Sequence, residues 1–385
     1  MRRMVFLLLV MAAAFPVIAS GPARASEPWQ YIKVFQAFQD RIAHGDRKAY
    51  RAHVRLIAYL GREFAALPDE TWKKRLNAEA LFIYLLSGGD PAAATGLLKR
   101  KVEVALPEGA LQGAVAFVRG HNGKAWKFLR KVDEKGMSTA ARAQLALVKA
   151  SLRAATQQRE ALHLLARVRL MKPGTLMEEV ALRRALFLAG GEGDEKAFMR
   201  LASAYIRRFR DSWYASDFLR RFSWLLVRLD YGRRPFLVER MEPLVSMLSK
   251  RQQALLHAAV SRAAIVEGKS KLAVFAGRKA LNVYPDASRF VARVKTWIAA
   301  GEVVDDPEAA LEMLKGISPE LLDRRDRELR LAAIGIGQAI LAEPSPANLP
   351  RGKAEASQES DNLPVLVRAQ ALIAGIDKFV EEGTQ

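Results

Sequence analysis

Breaks between helical segments recur along this chain at a nearly constant interval, and this regularity restricts the fold more than any other feature. Each unit shows apolar residues, then a short break with a small or polar residue, then a new amphipathic segment. One break per unit falls at Gly45, Gly89, Gly123, Gln157, Gly193, Gly232, Gly268 and Asp305. A glycine followed by Asp, Asn or Ser can end one helix and cap the next. The spacing therefore predicts a run of helical hairpins.

Apolar residues between the breaks keep the spacing of a single helix face. Two examples are the stripes Phe198, Leu201, Ala202, Tyr205, Phe209 and Phe218, Phe222, Leu225, Leu229. Strand-like alternation with hairpin turns is not found. The intervals between breaks, 34 to 44 residues, lie near the roughly 34 of tetratricopeptide (TPR) repeats. We therefore predict an all-α fold, a TPR-like αα-hairpin solenoid of about eight hairpins over residues 26–341.

Composition narrows the possible stabilising and catalytic chemistry. The chain has 385 residues, 50% of them hydrophobic, and no cysteine. It can bury a large core, but disulfides, thiolate catalysis and cysteine-ligated metal sites are excluded. Stability must come from packing.

The N-terminus has the pattern of an export signal. Basic Arg2 and Arg3 precede an apolar run, and Ala23-Arg24-Ala25 forms an A-x-A cleavage site. We predict a cleaved signal peptide over residues 1–25, cut between Ala25 and Ser26, and a periplasmic protein of a Gram-negative bacterium without a stable membrane span after cleavage. The alternative is an uncleaved anchor.

The charge points to an acidic partner. The full chain carries +20, and removal of residues 1–25 takes away three arginines and no acid, leaving 58 − 41 = +17. Export argues against nucleic acid, the usual partner of such a charge. Acidic proteins, anionic cell-wall polymers and lipid headgroups remain.

The C-terminal part differs from the repeats. Residues 342–362 are rich in proline and small polar residues and predict a flexible linker. Residues 363–385 carry a helical stripe of Leu366, Ala369, Ile373, Ile376 and Val380. This predicted amphipathic helix either docks back on the solenoid or anchors something else.

No catalytic, cofactor-binding or metal-binding pattern is recognised, so an enzyme is not expected. The acid pair Glu178-Glu179 could suggest a glycosidase. Its position near a predicted helix N-terminus favours a role with the helix dipole instead.

The segment from Lys196 to Arg240 is the most basic and aromatic part of the chain, with eleven basic residues against four acids. Most of its aromatic residues follow the core stripes. The candidate partner-binding residues, which cluster on another helix face, are Tyr214, Arg221, Trp224 and Arg228. The alternative is contact with an adjacent repeat beside a solvated basic edge.

Five strings carry a resemblance to a known family: QAFQDRIAHGD (36–46), LFIYLLSGGDP (81–91), KPGTLMEEVALRR (172–184), RRFRDSWYASDF (207–218) and SRAAIVEGKSKLAVFAGRKA (261–280). They resemble the MotC family of periplasmic motility proteins from rhizobia and related bacteria. The resemblance implies a non-enzymatic exported protein that associates with the periplasmic part of the flagellar stator protein MotB and supports its folding, stability or placement. A second hypothesis is a periplasmic module that binds anionic cell-wall polymer or another envelope-assembly protein.

Overall fold

The structure, a computed structural model, describes residues 27–191, 193–229, 235–284 and 288–342. Seventeen α-helices and two short 3-10 helices account for most of these residues, and no strand occurs among them. The all-α class predicted from the helical stripes is confirmed for this part of the chain.

The helices follow one another through short connections. The first nine are α1 (Pro28–Ala43), α2 (Arg47–Ala66), α3 (Arg75–Leu86), α4 (Ala92–Lys99), α5 (Ala110–Val118), α6 (Asn122–Leu129), α7 (Thr139–Arg153), α8 (Gln158–Met171) and α9 (Leu176–Gly191). The remaining eight are α10 (Glu195–Phe209), α11 (Ala215–Arg228), α12 (Pro235–Ser246), α13 (Lys250–Val266), α14 (Ser270–Val283), α15 (Ser288–Glu302), α16 (Pro307–Lys315) and α17 (Arg324–Leu341). The 3-10 helices are Asp69–Lys73 and Pro319–Leu321.

Turn and cap chemistry explains most of the helix boundaries. Gly45 ends the first turn with φ +88°, and the Asp46 carboxylate accepts bonds from the amides of Lys48 and Ala49 at the start of α2. Six predicted breaks fall between helices, namely Gly45, Gly89, Gln157, Gly193, Gly268 and Asp305. The break predicted at Gly123 is wrong, because Gly120 adopts φ +74° and ends α5, which leaves Gly123 inside α6. Gly232 lies outside the described residues.

The two predicted apolar stripes are core positions. All of Phe198, Leu201, Ala202, Tyr205 and Phe209 on α10 are buried. So are Phe218, Phe222 and Leu225 on α11 and the adjoining Leu229. The rings of Tyr205 and Phe218 stack with centroids 3.6 Å apart, which joins the two helices at the centre of the molecule.

Packing between distant helices departs from a simple repeat array, in which each unit contacts only its neighbours. Helix α1 packs on α3 and also on α9, while α3 packs on α7 and α7 on α9. Because α5 and α6 are short, with 9 and 8 residues, α3 reaches past them to α7. The first nine helices therefore curve back on themselves.

Three hydrogen bonds close this curve across more than a hundred residues of sequence. The Trp213 amide donates to the Ile42 carbonyl at 3.1 Å, and the Leu176 amide donates to the Asp40 carboxylate at 3.2 Å. The His44 ring lies 3.1 Å from the Gly174 carbonyl through Nε2. Burial raises the pKa of Asp40, against the lowering effect of the Leu176 amide and the nearby positive charges. The α1–α2 turn is thus fixed to α9 and to the α10–α11 connection.

The predicted signal peptide at 1–25 with its junction Ala25-Ser26, the linker at 342–362 apart from Ala342, and the helix at 363–385 lie outside the described residues.

Gly45→Ala should destabilise the protein more than an ordinary turn glycine would. A Cβ at Gly45 would lie 2.3 Å from the carbonyl oxygen of Asp211, whereas Gly88, at a similar φ of +92°, faces open space. Left-handed strain of about 1 kcal/mol is common to both changes. Chemical denaturation should show a clearly larger loss for Gly45→Ala than for Gly88→Ala. Equal losses would contradict the closure of the α1–α2 turn on the α10–α11 connection.

Candidate functional site

The four residues predicted from the sequence lie on α11 or immediately before it. Tyr214 precedes the helix and is half-buried, as is Trp224, while Arg221 and Arg228 are exposed. Trp224 also packs against the largest apolar core cluster. The predicted contact with a neighbouring helix and the predicted basic edge are therefore both present.

A continuous series of arginine and aromatic contacts connects these residues to α9. Trp224 stacks on Phe187, with ring centroids 5.8 Å apart and an interplanar angle of 16°. The Arg228 guanidinium lies 4.9 Å from the centre of the Trp224 ring, and that of Arg221 lies 5.8 Å from the centre of Phe187. Each contact is of the cation–π type.

Tyr214 joins the series through α9 as well. The Arg183 guanidinium lies 4.9 Å from the centre of the Tyr214 ring. We call the six residues of this series the arginine–aromatic face: Arg183, Phe187, Tyr214, Arg221, Trp224 and Arg228. The structure thus brings the four predicted residues together through two α9 side chains that the sequence analysis missed. The i, i+4 spacing of Arg183 and Phe187, which places both on one helix face, was a sequence signal that could have identified them.

One carboxylate holds three of the neighbouring arginines. Asp217 accepts bonds from Arg183 at 3.1 Å and Arg221 at 3.0 Å, and it also pairs with Arg220. Burial alone would raise the pKa of Asp217, but the bonds from Arg220 and Arg221 and then Arg183 outweigh it and lower that pKa. Asp217 therefore stays ionised and fixes the positions of the guanidinium groups.

Arg183 is held in place by a buried hydrogen-bond network around Glu179. Glu179, which is fully buried, accepts bonds from Arg183 through both oxygens at 3.2 and 3.1 Å and from the Tyr205 hydroxyl at 2.7 Å. Burial raises the pKa of Glu179, against the opposing effect of Arg183 and Tyr205. The adjacent Glu178 accepts from the Gly174 amide and pairs with Arg208. Both acids lie in the first turn of α9, as the helix-dipole interpretation predicted.

A groove of about 340 Å³ opens beside this face, between α7 and α9. Its apolar walls are Ala150, Ala154, Leu165, Phe187 and Leu188, and its polar lining is Ser151, Arg183, Arg184 and Arg221. At 37% exposure, the Phe187 ring is accessible from the groove side.

Arg184 makes the groove strongly positive. Its guanidinium contacts the Ser151 hydroxyl, and it forms no ion pair with any carboxylate in the described part of the chain. Desolvation by the groove walls, together with the positive charges of Arg183 and Arg221, lowers the pKa of Arg184, although an arginine keeps its charge at neutral pH. Arg228 likewise has no carboxylate partner among the described residues.

This arrangement suits binding of an acidic surface. Arginine and tryptophan are enriched among the residues that contribute most to protein interfaces. Within the described ranges, no group of three or more His, Cys, Asp or Glu side chains is placed to hold a metal ion. None of the described helices combines the length and hydropathy that crossing a bilayer requires.

Comparison with known proteins gives the chain a family. The family described as "Chemotaxis protein MotC" matches residues 1–385. A protein named "Chemotaxis protein MotC" from Rhizobium meliloti (strain 1021) is 28% identical over 367 residues, which cover 92% of this chain and 83% of that protein. No solved structure matches the chain. The family match extends over every helix described above, and the chain therefore belongs to the MotC family of chemotaxis proteins.

Proposed function

We propose that this protein is a non-enzymatic accessory protein of flagellar motility that acts in the periplasm. Its partner in this proposal is the periplasmic part of the stator protein MotB, whose folding, stability or placement it supports. Membership of a family named for chemotaxis supports a role in motility. The export pattern of residues 1–25 supports the compartment.

The arginine–aromatic face is the observation that carries the binding proposal. Trp224 and Phe187 offer a stacked apolar surface, while Arg221 and Arg228 supply positive charge at its edges. Opposite charge speeds the encounter between proteins, and desolvated aromatic and arginine contacts then slow dissociation. The preferred partner is therefore a protein surface that combines acidic and apolar side chains.

The scaffold supports the same proposal. We infer that the paired helices serve as a TPR-like hairpin scaffold, whose odd-numbered helices α7, α9 and α11 lie side by side. Helical repeat scaffolds use extended surfaces of this kind to bind other proteins. Here the groove and the arginine–aromatic face occupy these three helices.

The second candidate partner is an anionic cell-wall polymer. It is favoured by Arg184 and Arg228, which lack carboxylate partners among the described residues, and by the charge of 58 − 41 = +17 that remains after removal of residues 1–25. Such a polymer would need the positive charge but not the aromatic stack. Loss of Trp224 therefore distinguishes the two candidates.

Combining Arg221→Glu, Trp224→Ala and Arg228→Glu should weaken binding to the stator and impair swimming. The variant removes the charge and the stacked ring together, and the loss of two or more hot-spot contacts typically lowers affinity by at least about tenfold. The measurements are co-purification of MotB from the envelope of the protein's own bacterium and spreading in soft agar.

A matched control reverses charge on another face. Arg51 and Arg55 are exposed on α2, and Arg51→Glu with Arg55→Glu changes the net charge as much as the two arginine reversals do. Circular dichroism must show unchanged helicity for both variants. Normal co-purification by the folded triple variant would exclude the arginine–aromatic face. Absence of MotB from wild-type preparations, with retention on isolated sacculi, would favour the cell-wall polymer.

A further inference from the structure

The second half of α17 has an apolar surface that nothing in the described structure covers. Residues 331–341 read LAAIGIGQAIL and contain no charged side chain. Ala333 and Gly337 face the neighbouring helices and are buried, but Leu331, Ile336 and Ile340 are 64%, 49% and 47% exposed. A helix that is apolar all round is normally buried all round. We call Leu331, Ala332, Gly335, Ile336, Ala339 and Ile340, which are all exposed, the α17 outer face.

The pairing of the earlier helices indicates that α17 lacks a partner helix within the described residues. Helices α1, α5, α7, α9, α13 and α15 each pack on the even-numbered helix that follows them, whereas α17 is the last described element and has no such partner among the described residues. Helix α17 already packs on α15 and α16 through its inner side, where a Cβ at Gly337 would lie 3.0 Å from Leu311. The position of a second helix beside α17 is therefore unfilled within the described residues.

The remaining sequence contains a segment of matching length and pattern. The stripe from Leu366 to Val380 spans 14 residue steps, about 21 Å of helix. Fifteen steps separate the exposed Arg325 from Ile340 on α17, so the stripe is about as long as the outer side of this helix. The intervening residues 343–362 are more than enough to reverse the chain direction, since helical hairpins need only about 2–8.

The distribution of charge along α17 favours an antiparallel orientation of the partner helix. The first two turns of α17 contain four arginines (Arg324, Arg325, Arg327 and Arg330) against Asp326 and Glu328, and its last three turns contain no charge. Neither Arg325 nor Arg327 forms an ion pair with a described carboxylate. An antiparallel partner helix would bring Glu381 and Glu382 to this basic end, whereas a parallel one would place them beside the apolar end.

We propose that residues 363–385 form a helix that packs antiparallel on the α17 outer face and gives α17 a helical partner of its own. Leu366 then lies near Ile340, and Val380 lies near the exposed side chains of the first two α17 turns, such as Arg325. A second copy of the chain is the competing occupant, and it would cover the same apolar side chains only at high protein concentration.

The absence of cysteine from the chain allows a direct cross-linking test. Ile336→Cys combined with Ala369→Cys in the full mature chain should form an intramolecular disulfide under mild oxidation, independent of protein concentration. The control pair Val54→Cys with Ala369→Cys uses an exposed position on α2 and should not cross-link within one chain. Disulfide-linked dimers without the intramolecular product would overturn the proposal in favour of a second copy.

Hydrogen exchange provides a test that does not depend on the register of the two helices. Amides of residues 366–380 should exchange at least about tenfold more slowly than those of an unstructured peptide. Ile336→Glu with Ile340→Glu should abolish that protection, while Val54→Glu should not. Protection that is absent in the wild-type chain, or that survives the α17 substitutions, would overturn the proposal.

Discussion

Glu179→Ala should lower the free energy of unfolding by about 3–5 kcal/mol, the range for removing one partner of a buried ion pair. Glu179 is completely buried, and its two oxygens accept bonds from Arg183 and from the Tyr205 hydroxyl. Its removal leaves the Tyr205 hydroxyl without this acceptor. Among the described residues, Arg183 then keeps only Asp217 as an ionic partner.

The same substitution should also disturb the arginine–aromatic face, because Arg183 is the residue that joins Glu179 to Tyr214. Glu179→Gln keeps the volume and one acceptor and should cost less than Glu179→Ala. The matched control is Glu328→Ala, which breaks the exposed i, i+4 pair with Arg324 and should leave the unfolding midpoint nearly unchanged. A loss for Glu179→Ala no larger than the Glu328→Ala loss, in urea unfolding, would contradict the buried network.

Acid should weaken the protein through His257, which is buried on α13. Burial, reinforced by the positive charge of Lys279 and opposed by Glu242, lowers the pKa of His257 from its ordinary 6.5 to about 4. Below pH 6.5 the unfolded chain binds a proton that the folded chain resists. The free energy of unfolding therefore falls as the pH decreases toward 4, by about 2–3 kcal/mol between pH 7.5 and pH 4.5.

Comparison with His257→Leu separates this effect from the titration of carboxylates. The difference in unfolding free energy between wild type and variant should shift by that amount between the two pH values. His163→Leu, which removes an exposed histidine on α8, is the control for loss of an imidazole ring and should follow the wild-type curve. A wild-type to His257→Leu difference that is independent of pH would show that His257 is not held in an apolar environment.

The helical class and most turns could be predicted because their causes are local. Helical spacing placed Phe198 and Tyr205 correctly in the core, and glycine with a capping residue marked the turn at Gly45. Gly120 and Gly123 are both able to end a helix, and only the left-handed conformation of Gly120 decides between them. Local chemistry alone could not resolve that choice.

Closure of the first nine helices could not be predicted from one sequence. The bond from the Leu176 amide to Asp40 joins residues 136 positions apart, and no periodic pattern marks such a pair. In the arginine–aromatic face, likewise, some residues follow from local spacing and others depend on tertiary packing. Arg221, Trp224 and Arg228 were found from their spacing on one helix, but Phe187 and Arg183 depend on how α9 packs against α11.

Titration of the purified periplasmic domain of MotB into the mature full-length chain tests the central claim most directly. Arg221→Glu with Arg228→Glu should raise the Kd at least about tenfold, because both charges flank the stacked rings of Trp224 and Phe187. Arg51→Glu with Arg55→Glu, which changes the net charge equally on α2, should leave the Kd within about twofold of wild type. Equal weakening by both double variants, or no binding by the wild-type chain, would contradict the account.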